Sequence, residues 1–188
     1  MQKMRWVLGL VVLLTCSGLA IAQMDKGEHP TVAKALNNSV SGVEGEFVPA
    51  AEAMPEDKYG FAPTSGEFKG VRTFAQQVKH VAAVNYLLGA SILVEKPPVD
   101  IGGESGPDKI ASKAEIMKFL KDSFAYLHKA AGSMNEKNMT EPIKHPFREG
   151  KTTTRLEMAT LAVGHCFDHY GQMVEYLRMN GIIPPASR

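Results

Sequence analysis

The sequence predicts an all-α protein, a four-helix bundle in a single domain behind an N-terminal leader, and three observations carry that prediction. Apolar residues recur every three or four positions in four separate stretches. Two of those stretches open on capping boxes, Ser112-Lys113-Ala114-Glu115 and Thr154-Arg155-Leu156-Glu157, in which hydroxyl and carboxylate satisfy each other's end of the first turn. No stretch shows the apolar-polar alternation of a half-buried strand.

The leader comes first. Lys3 and Arg5 precede an apolar run from Trp6 to Leu14, and Ala20-Ile21-Ala22 supplies small residues suited to a cleavage site. Residues 1–22 therefore read as a secretory signal peptide and residues 23–188 as the domain. The run is shorter than the ~20 apolar residues of a membrane helix, and no later stretch approaches that length. The expectation is an exported, periplasmic protein with no stable membrane insertion. The leader takes Lys3 and Arg5 from 21 cationic residues and nothing from 20 acidic ones, so the mature net charge is −1. That balance gives no reason to expect a nucleic-acid partner. Loss of Cys16 leaves Cys166 as the one thiol, so no intramolecular disulfide can form and stability rests on the core.

The first helix starts at Pro30-Thr31, with a stripe of Val32, Leu36, Val40, Val43, Phe47, Ala51 and Met54. An interior proline costs a helix about 3 kcal/mol, so a kink is expected near Pro49, and Pro55 ends the element. From Glu56 to Gly66 turn formers surround Tyr59 and Phe61, two aromatics expected to pack back onto the bundle. The second helix is predicted from about Val71 to Val94, with the seam Val71, Phe74, Val78, Val81, Asn85, Leu88 and Ile92. Asn85 is a polar residue in that seam, and His80 lies on its flank.

Pro97-Pro98 and the stretch from Gly102 to Pro107 predict a loop. The third helix follows from Ser112, with Ile116, Leu120, Phe124, Leu127 and Ala131 as its stripe and Gly132 as its stop. Pro142 and Pro146 exclude a regular helix from the long segment 133–153, and long loops in compact domains often carry function. The last helix runs from Thr154 to about Asn180, where Gly181 and Pro184-Pro185 end it. Its seam is Leu156, Ala159, Val163, Cys166, Tyr170, Met173 and Leu177.

Within this last helix, His165 and His169 stand four residues apart and share a face at about 100° per residue. His169 projects inside the apolar arc and His165 at its edge, whereas Asp168 projects to solvent and is not counted as a ligand. His80 holds nearly the same angular position on the second helix that His165 holds on the fourth. If the two helices are neighbours, His80, His165 and His169 can meet. Three neutral imidazoles on rigid helices suit a borderline divalent cation, Zn, Ni or Fe, with coordination positions left for water or substrate. The competing reading is that a bare H-x-x-x-H marks two histidines at the edge of a core.

The pattern of His80 in the second helix and H-x-x-x-H in the fourth resembles the DinB/YfiT-like family of metal-binding four-helix bundles. Three segments carry the resemblance: Met54 to Thr64, Phe74 to Asn85 around His80, and His165 to Ser187, with His169-Tyr170-Gly171-Gln172 and Asn180-Gly181-Ile182-Ile183-Pro184-Pro185. The resemblance implies a divalent metal held by His80, His165 and His169. It also implies a small-molecule substrate, since members with assigned activity include thiol-dependent transferases and isomerases, although export into an oxidising compartment argues against thiol chemistry here.

Other polar residues carry less. Cys166 projects into the core and reads as packing. Asn85 is divided between orienting a ligand and a purely structural role. His128 reads as solvated or capping, with a fourth nitrogen as the minor reading, and neither His145 nor His29 has a partner pattern. Tyr170 reads as core. Three functions stay open: a metal-dependent hydrolase or thiol-type transferase acting on a small molecule, a non-catalytic binder of metal or small ligand, and a stress-associated structural protein working through a helix face. A homodimer is compatible with each.

Overall fold

A computed structural model describes residues 29–188. The signal peptide expected over residues 1–22 lies outside them. Four helices dominate: α1 (Val32–Ala53), α2 (Phe74–Leu93), α3 (Lys113–Gly132) and α4 (Arg155–Met179). The fold is the expected all-α four-helix bundle. None of the described helices is long and apolar enough to cross a membrane.

Each helix starts where a side chain can satisfy its free N–H groups. Thr31 accepts from the Lys34 N–H at 3.2 Å and opens α1. Capping boxes open α3 at Ser112 and α4 at Thr154, as the sequence predicts, and a third opens α2 at Thr73 with Gln76. That third box corrects the predicted start of α2. Val71 lies outside the helix and is 37% exposed, because the loop runs on to Thr73, whose side chain caps the first turn. α1 is continuous through Pro49.

Much of the core falls on the predicted stripes, although Tyr86, Phe119, Tyr126, Met158 and Tyr176 are buried off them and Leu156, Val163 and Tyr170 on them are only partly buried. Val40, Val43 and Phe47 of α1, Phe74, Val78, Val81 and Leu88 of α2, Ile116, Leu120 and Phe124 of α3, and Cys166, Met173 and Leu177 of α4 are all buried. Removing such side chains from water stabilises the fold by roughly 1.5–3 kcal/mol each. Helix α2 packs on α3 and α4, and α1 packs on the same two, so the order around the bundle is α1-α3-α2-α4. α1 and α2 are therefore diagonal to each other, as are α3 and α4. The α1–α2 and α3–α4 connections must cross the bundle ends, which gives a physical reason for their length.

Both crossings are tied down. Tyr59 donates its hydroxyl to the Ala51 carbonyl at 2.7 Å and sets its ring edge-on to Phe74, while Phe61 meets Tyr176 edge-on at 5.6 Å. The packing expected of these two aromatics is thus present, and the carbonyls of Tyr59 and Phe61 accept the first N–H groups of α2. Segment 133–153 holds a feature the sequence reading missed, an antiparallel pair of three-residue strands, β1 (Pro142–Lys144) and β2 (Thr152–Thr154), with Ile143 opposite Thr153. Its brevity left too few residues for an alternation to register. Arg155 secures this end by donating to the Ile92 carbonyl at 3.0 Å and to Glu141 at 2.6 Å.

Between α2 and α3 the chain leaves the helix through Val94, a β-branched residue in the left-handed region at φ 57°. The following loop folds back along α2. The buried Lys79 donates its Nζ to the carbonyls of Pro107 and Ile110, and Gly106 lies so close that a Cβ there would come within 2.6 Å of the Lys79 Cβ. This anchorage places Glu104 beside His80.

Candidate metal centre

Because α2 and α4 are neighbours, the flank of one faces the flank of the other. His80, His165 and His169 meet there, each offering a ring nitrogen, with those atoms all within 4.8 Å of one another. His169 is buried, and His80 and His165 are half-buried. Nε2 of His80 lies 3.1 Å from Nε2 of His165. In a tetrahedral site with nitrogens ~2.0–2.1 Å from zinc, two ligand atoms are about 3.3 Å apart, so the observed approach is close to such an edge.

The tautomer of His80 follows from its other nitrogen. Nδ1 faces the Glu104 carbonyl, which can only accept, so Nδ1 carries the proton and Nε2 presents its lone pair to the cluster. Nδ1 of His165 and Nδ1 of His169 are buried with no hydrogen-bond partner in the protein. Burial holds all three imidazoles neutral. It lowers the pKa of His165 to about 3, aided by the neighbouring His169 and His80 and by Arg72, and that of His169 to about 4, aided by His80 and Arg72 against an opposing pull from Asp168. His80 is lowered by burial too, while its bond to Glu104 opposes the shift. Neutral, converging and incompletely partnered nitrogens form a donor set that fits a borderline divalent cation.

The other singled-out residues lie elsewhere. Asp168 is exposed, as projected, and accepts from Gln172 at 3.2 Å. Asn85 is fully buried, donates to the Ser123 hydroxyl and accepts from the Cys166 thiol, so its role is to join α2, α3 and α4 rather than to touch a histidine. Cys166 is buried, and burial pushes its thiol up to about 12. His128 is neither solvated nor capping. Its two ring nitrogens face Asn37 at 2.7 Å and Glu44 at 3.0 Å, linking α3 to α1, because the diagonal arrangement turns this edge of α3 toward α1. His145 accepts the Phe147 N–H within the loop, far from any role in the triad. Tyr170 is partly buried.

Four residues beside the triad have no role in the sequence reading, although Gln77 and Gln172 fall in segments that carry the resemblance: Arg72, Gln77, Glu104 and Gln172. Gln77 stands three residues before His80 and Gln172 three after His169, so each shares a helix face with its histidine, and that i±3 spacing is a signal from which they are legible. Their side chains meet at 2.7 Å across the α2–α4 seam. Arg72 and Glu104 form an ion pair at 2.8 Å, a contact between two loops that no local pattern announces. These residues line a cleft of about 690 Å³ that also takes in Phe68, Val71 and Met179.

Comparison with known proteins agrees with this architecture. The sequence profile of the DinB superfamily matches residues 41–173. A crystal structure of a DinB-like protein from Bacillus cereus superposes with a TM-score of 0.61 at 14% identity, covering 80% of this chain and 93% of that one. A DinB-like protein from Bacillus subtilis, YjoA, superposes with a TM-score of 0.60 at 17% identity, covering 78% and 92%. At such identities the likeness is one of fold. No curated protein matches the chain.

Proposed function

Since the chain belongs to the DinB superfamily, we propose that His80, His165 and His169 hold a divalent cation, and that the centre serves hydrolysis or group transfer on a small molecule. The observation that carries the reading is the convergence of three imidazole nitrogens within 4.8 Å, drawn from two helices. A cation held there supplies Lewis acidity, which polarises a carbonyl and makes water a competent nucleophile near neutral pH. The chain's own residues do the rest. Glu104 orients His80 through its backbone carbonyl, the α2–α4 packing holds the two histidines of α4 in register, and a cleft lined not by the histidines but by Gln77, Glu104 and Gln172 next to them gives a substrate somewhere to lie.

Hydrolysis is favoured over thiol transfer. The leader-like residues 1–22 support export, and compartments outside the cytoplasm are poor in free thiols. The chain's one described cysteine is buried and unreactive, so it offers no thiol of its own. Metal analysis of the purified protein tests the proposal. Zinc titration is expected to saturate at one ion per chain, and His80→Ala and His169→Ala each to lower affinity at least a hundredfold. Equal and negligible metal in all three proteins would sink it.

A further inference from the structure

The cleft beside the triad has a polarity of its own. Gln77 is 2% exposed, and its amide orientation is set by a chain of bonds: Nε2 donates to Gln172 Oε1 at 2.7 Å, and Gln172 Nε2 donates onward to Asp168 at 3.2 Å. Since the Gln172 oxygen can only accept, Gln77 must present its nitrogen there, and Gln77 Oε1 is left buried with no partner in the protein. Arg72 Nε is likewise buried and without a partner, although Nη2 of the same guanidinium is bonded to Glu104. One unpartnered acceptor and one unpartnered donor, both buried, thus belong to residues lining the same cleft. Buried polar atoms in native proteins are nearly always satisfied, and a ligand is one way to satisfy them.

Charge narrows the ligand. The cleft's ionic residues are Arg72, Glu104 and Glu175, two carboxylates against one guanidinium that is already paired. A carboxylate ligand would face both glutamates and the lone pairs of Gln77 Oε1. A neutral amide offers an N–H for Gln77 Oε1 and a carbonyl for Arg72 Nε–H. An apolar substituent would cover Phe68, Val71 and Met179, which are 40%, 37% and 50% exposed. Both atoms are covered in this structure, so a ligand reaches them only as neighbouring side chains shift, and with the Glu104 side chain 84% exposed its pair with Arg72 is weakly held and can part.

We propose that this cleft is the substrate subsite for an uncharged amide bearing an apolar side group, with Gln77 accepting from the amide N–H and Arg72 donating to its oxygen. The inference rests on the hydrolytic reading of the triad. In the reaction it implies, the oxygen of water bonds to the amide carbon, the C–N bond breaks and the nitrogen leaves with the proton, giving a carboxylic acid and an amine.

Three related probes test the subsite on metal-free protein by ligand-observed NMR titration: phenylacetamide, N,N-dimethyl-phenylacetamide, which lacks the N–H, and the isosteric anion phenylacetate. Phenylacetamide is expected to bind at least tenfold more tightly than either of the others, and Gln77→Met to abolish that preference while zinc still binds at one ion per chain. Equal affinity for the three probes, or no binding of any, overturns the subsite whatever happens with Gln77→Met, so a variant that fails to fold does not shield the proposal. Zinc uptake is measured separately. Zinc bound without an amide preference leaves the metal centre standing and removes the subsite, and an amide preference without zinc does the reverse.

Discussion

Nδ1 of His80 donates to the backbone carbonyl of Glu104, and the loop carrying Glu104 is pinned to α2 by Lys79, the residue next to His80. One turn of α2 therefore holds both the candidate ligand and the group that sets its tautomer. Partners of this kind around a metal-binding imidazole are commonly worth 10–100-fold in affinity.

Gly106 is the weak point of that arrangement. Its φ is +76°, and a Cβ would come within 2.6 Å of the Lys79 Cβ and 3.1 Å of the Lys79 backbone, neither of which can yield easily. Gly106→Ala is expected to lift the loop, loosen the Glu104 carbonyl from His80 and weaken zinc binding by about 10–100-fold, with the helical content unchanged. Competition against a chromophoric chelator reads the change. Wild-type affinity in a folded Gly106→Ala protein would show that the loop does not orient His80.

The depressed pKa values of the triad set a pH dependence for the metal-free protein. In the unfolded chain the three histidines take up protons near pH 6.5, whereas in the folded state His169 resists until about 4 and His165 until about 3. Below pH 6.5 the unfolded state binds more protons, so stability is full above that value and is lost as pH falls toward 3. Urea midpoints are expected to hold steady from pH 8 to 7 and to decline below 6.5. In a His165→Phe variant the decline should be shallower. An equally steep decline in that variant would mean that carboxylates alone cause it.

Cys166 neighbours His165 in sequence but faces the core, with 0% exposure and a thiol pushed up to about 12. Thiolate is the reactive form, so the native protein at pH 8 is expected to resist Ellman's reagent for hours and to react fully in urea. Cys166→Ala should leave zinc stoichiometry unchanged. Rapid labelling of the native protein would contradict the burial.

Val94 ends α2 in the left-handed region at φ 57° and ψ 44°, with its side chain 63% exposed. A Cβ in that conformation costs roughly 1–2 kcal/mol, and a β-branched one gains nothing here from packing. Val94→Gly is expected to stabilise the protein by about 1 kcal/mol after the entropy that glycine loses on folding. Thermal unfolding measures this, and a lower melting temperature would show that Val94 makes contacts worth more than its strain.

Much of this molecule is local, and what is local can be read from the sequence. The stripes of α1, α3 and α4, the boxes at Ser112 and Thr154, the stop at Gly132 and the outward turn of Asp168 all follow from side chains within a few residues of each other, because helix period and capping act over one turn. The missed start of α2 and the short β1–β2 pair lie at the edge of that range. The angular position of His80 suits a pairing with the fourth helix, but position on one helix says nothing about which helix lies opposite. Only the packing order α1-α3-α2-α4 decided that the flanks of α2 and α4 face each other, that His128 turns to Glu44 instead of the triad, and that Asn85 bonds Ser123 and Cys166. The Arg72–Glu104 pair and the unpartnered atoms of Arg72 and Gln77 belong to the same class. They depend on where the α1–α2 connection crosses the bundle end and where the α2–α3 loop folds back along α2, a choice made by burial of the whole core and not by the residues beside them in the chain.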